Sequence, residues 1–178
     1  MRGERRQSKM AKKQAPEFND IEINIPSDLV FERVVRESAV VVAKHLGFSE
    51  ERVADLQLAV SEAVTNAIEH GNNCDVSIKV GVKFFISSDQ LAVQVTDKGK
   101  WDASSTALND VPLELDMEDR LEQDLTRGMG MFLIQKLVDN VELRSNEEGT
   151  EFTMWFNIER GPNNISNLNI AMKGPDFL

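Results

Sequence analysis

One amphipathic stretch, LQLAVSEAVTNAIEHGN from Leu56 to Asn72, does most to limit what this chain can become. Leu56, Ala59, Val60, Ala63, Val64, Ala67 and Ile68 recur at helical spacing, so one apolar stripe has to be covered by the rest of the fold. The opposite stripe carries two carboxylates, an amide and an imidazole: Glu62, Asn66, Glu69 and His70. Glu62 and Asn66 are four residues apart, which places them only about 40° apart around a helix axis, with both head groups facing one small volume. Magnesium takes oxygen ligands, keeps several waters and needs few protein groups, so the Asn66 carbonyl alone suits it as an anchor and Glu62 stays free for proton chemistry. A polar helix face is most often merely solvated, and the reading rests on the company this one keeps.

Around the helix the pattern is that of a sheet. FNDIEINIP alternates apolar and polar residues, DVSIKVGVKFFI and QLAVQVTD form a hairpin across SSDQ, and VELRSN and GTEFTMWFNI flank EEG. A first helix is expected through DLVFERVVRESAVVVAKHLG, with Ser27 as its N-cap and Gly47 as its stop, and the motif helix starts near Ser49 and runs until Gly71 and the pair Asn72 and Asn73 break it. A last helix begins in RGMGMFLIQKLVDNVEL, marked by Ile134, Leu137, Val138 and Val141. Three helices among five strands predict an α+β, two-layer sandwich: a mixed, mostly antiparallel sheet covered on one face by helices.

Charge divides the chain. The first thirteen residues hold six Lys or Arg and one Glu; with a net charge of -10 overall, the remainder carries -15. That balance disfavours binding to a phosphate backbone, so no direct nucleic-acid contact is expected. Residues 1–16 read as a basic arm, 17–159 as one domain and 160–178 as a Gly-, Pro- and Asn-rich tail. Residues 98–127 lose apolar periodicity, and 102–127 carry eight acidic side chains against two arginines, which suggests a lid. The single cysteine, Cys74, excludes an internal disulfide and fits a reducing compartment, while no run of about 18 apolar residues suggests a membrane span. Cytoplasmic localisation is the expectation.

Three further segments bear on chemistry. TDKGKWD follows a strand with Asp97 and, two residues on, Gly99, so a carboxylate can accept from a ligand amine where the backbone approaches closely. RGMGMFLIQKL sets Gly128 and Gly130 at a helix start, where free amides and the helix dipole attract phosphate. GTEF brings a hydroxyl, Thr150, to the start of a strand. Separately each has an ordinary reading as a turn or hinge; their order along the chain is the signal.

In that order SEAVTNAIEHG, TDKGKWD, RGMGMFLIQKL and GTEF resemble the N box, the two glycine boxes and the terminal Gly-Thr of the Bergerat-fold, or GHKL, ATPases, over residues 18–158. The short form is similar to the anti-sigma factor serine/threonine kinases of bacterial partner-switching systems. The resemblance implies that Glu62 is the catalytic base, that Asn66 ligates Mg2+ on ATP, and that Asp97 reads the adenine amino group with Thr150 assisting. It places Gly99, Gly128, Met129 and Gly130 around the nucleotide and His70 beside it. Arg127 would approach the terminal phosphate and Arg33 would contact a protein partner. The implied activity is transfer of phosphate from ATP to a serine or threonine of an anti-anti-sigma protein, with sequestration of a sigma factor and a homodimer as the assembly. The first glycine box, Asp-Lys-Gly-Lys-Trp-Asp, lacks the second glycine of many members, which bears on the lid. Two alternatives are an ATP-gated binding module without transfer, and a histidine-kinase-like ATPase domain acting in trans. His45 and His70 are the only histidines, and no helical hairpin bearing a phosphorylatable one precedes the domain.

Overall fold

The computed structural model describes residues 19–100 and 129–158. Five strands, β1 (Asn19–Pro26), β2 (Lys79–Ile86), β3 (Gln90–Asp97), β4 (Asn140–Asn146) and β5 (Gly149–Asn157), form one sheet in the order β1-β2-β3-β5-β4. Its four pairings are all antiparallel, so among the described residues the sheet has no parallel pair. Among the described residues three α-helices, α1 (Glu32–His45), α2 (Glu50–Asn66) and α3 (Met129–Leu137), complete the expected α+β sandwich.

Period-two patterning sets which sheet face is covered. Val80, Val82 and Phe84 of β2, Leu91, Val93 and Val95 of β3, and Phe152, Met154 and Phe156 of β5 are all buried. Their alternates, such as Lys83, Gln94 and Thr153, stand on the other face and are only half-buried. Helix α2 contributes the apolar stripe read from sequence: Leu56, Ala59, Val60, Ala63, Val64, and beyond its end Ala67 and Ile68, are buried. Each large side chain such as Leu56 or Phe84 contributes about 1.5–3 kcal/mol on leaving water. Alanines on facing helices, Ala39 and Ala43 of α1 and Ala59 and Ala63 of α2, are also buried, and their small size lets the pair pack closely.

Element boundaries depart from the sequence reading in three places. Ser27 is not the cap of α1. Asp28 accepts from the Val30 amide at 3.0 Å and opens a 3-10 turn, Leu29–Phe31, whereas the Ser27 hydroxyl turns inward to the Ile78 carbonyl at 2.8 Å. Strand β2 begins at Lys79 rather than Asp75, because the Asp75 carboxylate accepts from the Ser77 amide and hydroxyl and folds 75–78 into a turn. Val141 belongs to β4, not α3. Arg52 of α2 donates to the last α3 carbonyl, Leu137, at 2.6 Å, pairs with Asp139 and lies over the Phe156 ring at 5.1 Å, while the Asp139 amide bonds the Trp155 carbonyl. That latch stops the helix and turns the chain into the sheet. Ser49 does cap α2, accepting from the Arg52 amide at 3.2 Å.

Candidate nucleotide site at the C-terminal end of α2

Helix α2 does not simply stop at Asn66. It continues as one π-helical turn, Ala67–Gly71, closed by the Asn72 amide on the Ala67 carbonyl at 2.8 Å. Wide turns of this kind are uncommon and cluster at functional sites. This one carries Gly71 directly under the end of β3. A Cβ on Gly71 would overlap the Asp97 carboxylate, and one on Gly99 would overlap the Gly71 backbone, so the three segments meet at a distance only glycine permits.

Asp97 lies at the end of β3, paired with Thr150 of β5. Its Oδ1 accepts from the Gly99 amide at 2.7 Å, and the Thr150 hydroxyl donates to the Gly99 carbonyl at 2.9 Å and shares a contact with Ser145 at 3.2 Å. Burial raises the Asp97 pKa to about 6, opposed only in part by the Gly99 hydrogen bond. A carboxylate so desolvated, with one oxygen still available, is suited to accept a hydrogen bond from an entering amine.

Farther along α2, Glu62 and Asn66 are half-buried on the stripe assigned from spacing. The first turn of α3 comes up against them. A Cβ on Gly130 would sit 2.6 Å from Glu62 Oε2 and 3.5 Å from Asn66 Nδ2. The amide-rich start of α3 is therefore brought to the carboxylate and carboxamide, and the gap between them exists because residue 130 has no side chain.

Six of the residues singled out from sequence thus fall into two contact sets: Glu62, Asn66 and Gly130 where α3 meets α2, and Asp97, Gly99 and Thr150 where the ends of β3 and β5 meet the π turn that continues α2. Met129 is the first residue of α3. His70 sits exposed in the π turn next to Gly71. Arg127, Gly128 and nearly all of the acidic segment 98–127 lie outside the described residues. Arg33 is elsewhere, on α1, where it is exposed and faces Glu37 at 4.0 Å. Sequence reasoning used Gly71 only as a helix stop and missed that it seats Asp97; its place immediately after the motif helix was the available signal.

An antiparallel sheet under three helices, with a glycine-seated carboxylate at a strand end and a Glu-Asn helix face opposite a glycine-rich helix start, is the arrangement of the GHKL ATP-binding fold. The family described as the histidine kinase-like ATPase domain matches residues 25–156, and the chain belongs to that family. It is 32% identical over 138 residues to the serine-protein kinase RsbW of Oceanobacillus iheyensis, covering 77% of this chain and 85% of that one. The serine-protein kinase RsbW of Listeria monocytogenes is 32% identical over 127 residues, 71% of this chain and 80% of that one. Among solved structures, the RsbU and RsbW domains of a Mycobacterium tuberculosis protein superpose with a TM-score of 0.56 at 20% identity. The match covers 80% of this chain and 33% of that one, and the likeness is one of fold.

Proposed function

We propose that this chain is an ATP- and magnesium-dependent serine/threonine protein kinase that also acts as an anti-sigma factor, exchanging a sigma factor for the anti-anti-sigma protein it phosphorylates. Membership in the ATPase family and similarity to several serine-protein kinases support the reading. The observation that carries it is the convergence of the Glu62 carboxylate, the Asn66 carboxamide and the start of α3 at Gly130, which supports reading them as a base, a metal ligand and a phosphate-facing helix start.

The residues suit the groups they would hold. The glycine contact of Gly71 and Gly99 with Asp97 leaves a carboxylate facing a cradle at one end, where Asp97 accepts from the adenine amino group and Thr150 steadies the turn. At the other end the amides opening α3 offset phosphate charge, and Asn66 supplies a carbonyl to the metal. Among the described residues no three His, Cys, Asp or Glu side chains gather into a metal-binding group, so Asn66 would share the metal with phosphate oxygens rather than with a protein cage. Magnesium, when bound, neutralises phosphate charge as it shifts in transfer. Glu62 accepts the proton of the incoming serine or threonine hydroxyl, Gly130 leaves the space in which that hydroxyl approaches, and Arg127 is assigned to the terminal phosphate.

A homodimer and the protein partners are assigned to the α1 side. Val30, Val34 and Val41 are each more than half exposed there, with Leu29 and Phe31 beside them, and Arg33 stands on the same helix. Apolar surface of this kind is common at interfaces. The acidic balance of the domain supports a protein partner over nucleic acid. No helix among the described residues is long and apolar enough to cross a membrane, and the cytoplasm is the proposed location. The test is incubation with labelled ATP, magnesium and candidate anti-anti-sigma proteins: transfer to a Ser or Thr is expected, whereas tight ATP binding without transfer would favour the ATP-gated module.

A further inference from the structure

Asn72 follows Gly71 and is 98% shielded from solvent, yet nothing in the account above gives it a role. Its side chain ties together three segments far apart in sequence. Nδ2 donates to the Ser27 hydroxyl at 2.9 Å and reaches the Lys79 carbonyl at 3.4 Å, and Oδ1 accepts from the Lys98 amide at 2.8 Å. The orientation of the carboxamide is fixed by chemistry, since the Lys98 N–H can only donate and must face the oxygen. Ser27 is itself fully buried and held through its own amide and hydroxyl to the Ile78 carbonyl. The end of β1, the start of β2 and the turn after β3 are thereby fastened to the π turn.

The location gives this knot its consequence. Lys98 lies between Asp97 and Gly99, and Asn72 is covalently next to Gly71, the residue over which the Asp97 carboxylate sits. Asn72 therefore grips both sides of the Asp97–Gly71 contact: one through the peptide bond, the other through Lys98. Without it, the β3–β5 ladder still holds Asp97 opposite Thr150, but the side-chain hydrogen bonds left to the 97–99 turn among the described residues are those of Thr150 to Gly99 and of Gly99 to Asp97, and the latter moves with the turn rather than anchoring it.

We propose that Asn72 is a positioning residue for purine selection: it does not touch the nucleotide, but it sets the Asp97 carboxylate at the height where a 6-amino group is accepted and a 6-carbonyl is refused. The inference rests on the proposed ATP site. Guanine presents a carbonyl where adenine presents its amine, and a carboxylate fixed in place cannot hydrogen-bond it, so selectivity depends on how firmly Asp97 is held.

The test is the ratio of GTP to ATP dissociation constants, measured by calorimetry on the full chain with magnesium, alongside thermal melting. Asn72→Ala is expected to lower that ratio about tenfold or more, since one buried and two part-buried hydrogen bonds are lost and the freed turn can follow either base. Phosphoryl transfer at saturating ATP should stay within about twofold, because Glu62 and Gly130 lie at the other end of the site. Ser27→Ala removes one of the supports of Asn72 and is expected to lower the ratio about threefold; it decides the matter if Asn72→Ala does not fold. A general loss of stability would lower melting temperature and leave the ratio in place. Unchanged selectivity in the folded variants overturns the role of Asn72 while leaving the ATP site standing; an unaltered chain that does not prefer ATP overturns both.

Discussion

The two ends of the site are built differently. Around Asp97 the backbone is pinned before any ligand arrives: Gly99 bonds the Asp97 carboxylate, Thr150 bonds the Gly99 carbonyl, and Asn72 bonds the Lys98 amide. Around Glu62 no comparable set of side-chain hydrogen bonds exists among the described residues, and what brings Asn66 and Gly130 together is helix packing. A pinned end can choose a ligand by shape and hydrogen bonding. An end held by packing leaves its carboxylate and carboxamide unengaged by side chains among the described residues, which is what the base and metal ligand of the proposed site would require until substrate completes their contacts. In the proposed function, recognition and chemistry fall to these two separate regions, and the division can be attacked from either side.

The largest effect is expected at the chemical end. Glu62→Ala should lower phosphoryl transfer by about 100- to 10,000-fold, the usual contribution of a positioned base, with ATP affinity within about twofold. A rapid-quench assay with labelled ATP and direct titration of the nucleotide check the two halves of that statement. Equal loss of binding and transfer would erase the division.

Gly130→Ala comes next. Its Cβ would lie 2.6 Å from Glu62 Oε2, and because the atom it meets ends a side chain, Glu62 can swing aside while the helices stay put. A displacement of about 1 Å at a reacting group costs up to about 100-fold in rate. Transfer should fall by about 10- to 100-fold with melting temperature nearly unchanged, and an unaffected rate would place the reaction elsewhere.

At the recognition end the effect is smaller and depends on pH. Asp97 titrates near 6 in the free chain because it is desolvated. An adenine amine requires the ionised form, so nucleotide binding must expel the proton wherever the free chain holds one. Affinity is then at full strength above about pH 7 and declines as pH falls through 6, by about tenfold at pH 5. Phosphate groups of the ligand titrate as well, but equally for any variant, and the difference between the unaltered chain and Asp97→Asn isolates the carboxylate. The sign for folding is opposite. A raised carboxyl pKa favours the folded chain most below about pH 4, and that contribution is lost as pH rises through 6.

The smallest effect lies outside both ends. Ser49 caps α2 some thirteen residues before Glu62, and Ser49→Ala is expected to lower stability by about 1 kcal/mol in denaturant unfolding without altering ATP affinity.

Much of this architecture is legible in the sequence, for reasons that differ by element. The strands and α2 were legible because each has one dry face, and a period of 2 or 3.6 is the direct imprint of that face on sequence, as in Val80, Val82 and Phe84 or Leu56, Ala59, Val60 and Ala63. Glu62 and Asn66 came with the helix, since four-residue spacing fixes their common side. Asp97, Gly99, Gly130 and Thr150 were found as motifs, but that they meet came from the sheet register pairing Asp97 with Thr150 and from α3 folding back on α2. What sequence hid were the long-range polar ties. Ser27 looked like a helix cap because Ser before a helical pattern usually is one, yet its hydroxyl serves Ile78 and Asn72 instead. Asn72 and Gly71 looked like a helix stop. Asn72 is tied to Lys98 and Ser27, 26 and 45 residues away, and local patterns carry no trace of contacts at that range.

The division of labour is tested most directly by calorimetric titration of magnesium-ATP into Glu62→Ala and Asp97→Asn side by side with the unaltered chain. The expected result is one site per chain in all folded forms tested at high protein concentration, affinity retained in Glu62→Ala and reduced about tenfold or more in Asp97→Asn at pH 7.5. Equal affinity in Asp97→Asn and the unaltered chain, or no binding by a folded unaltered chain with magnesium present, would contradict it.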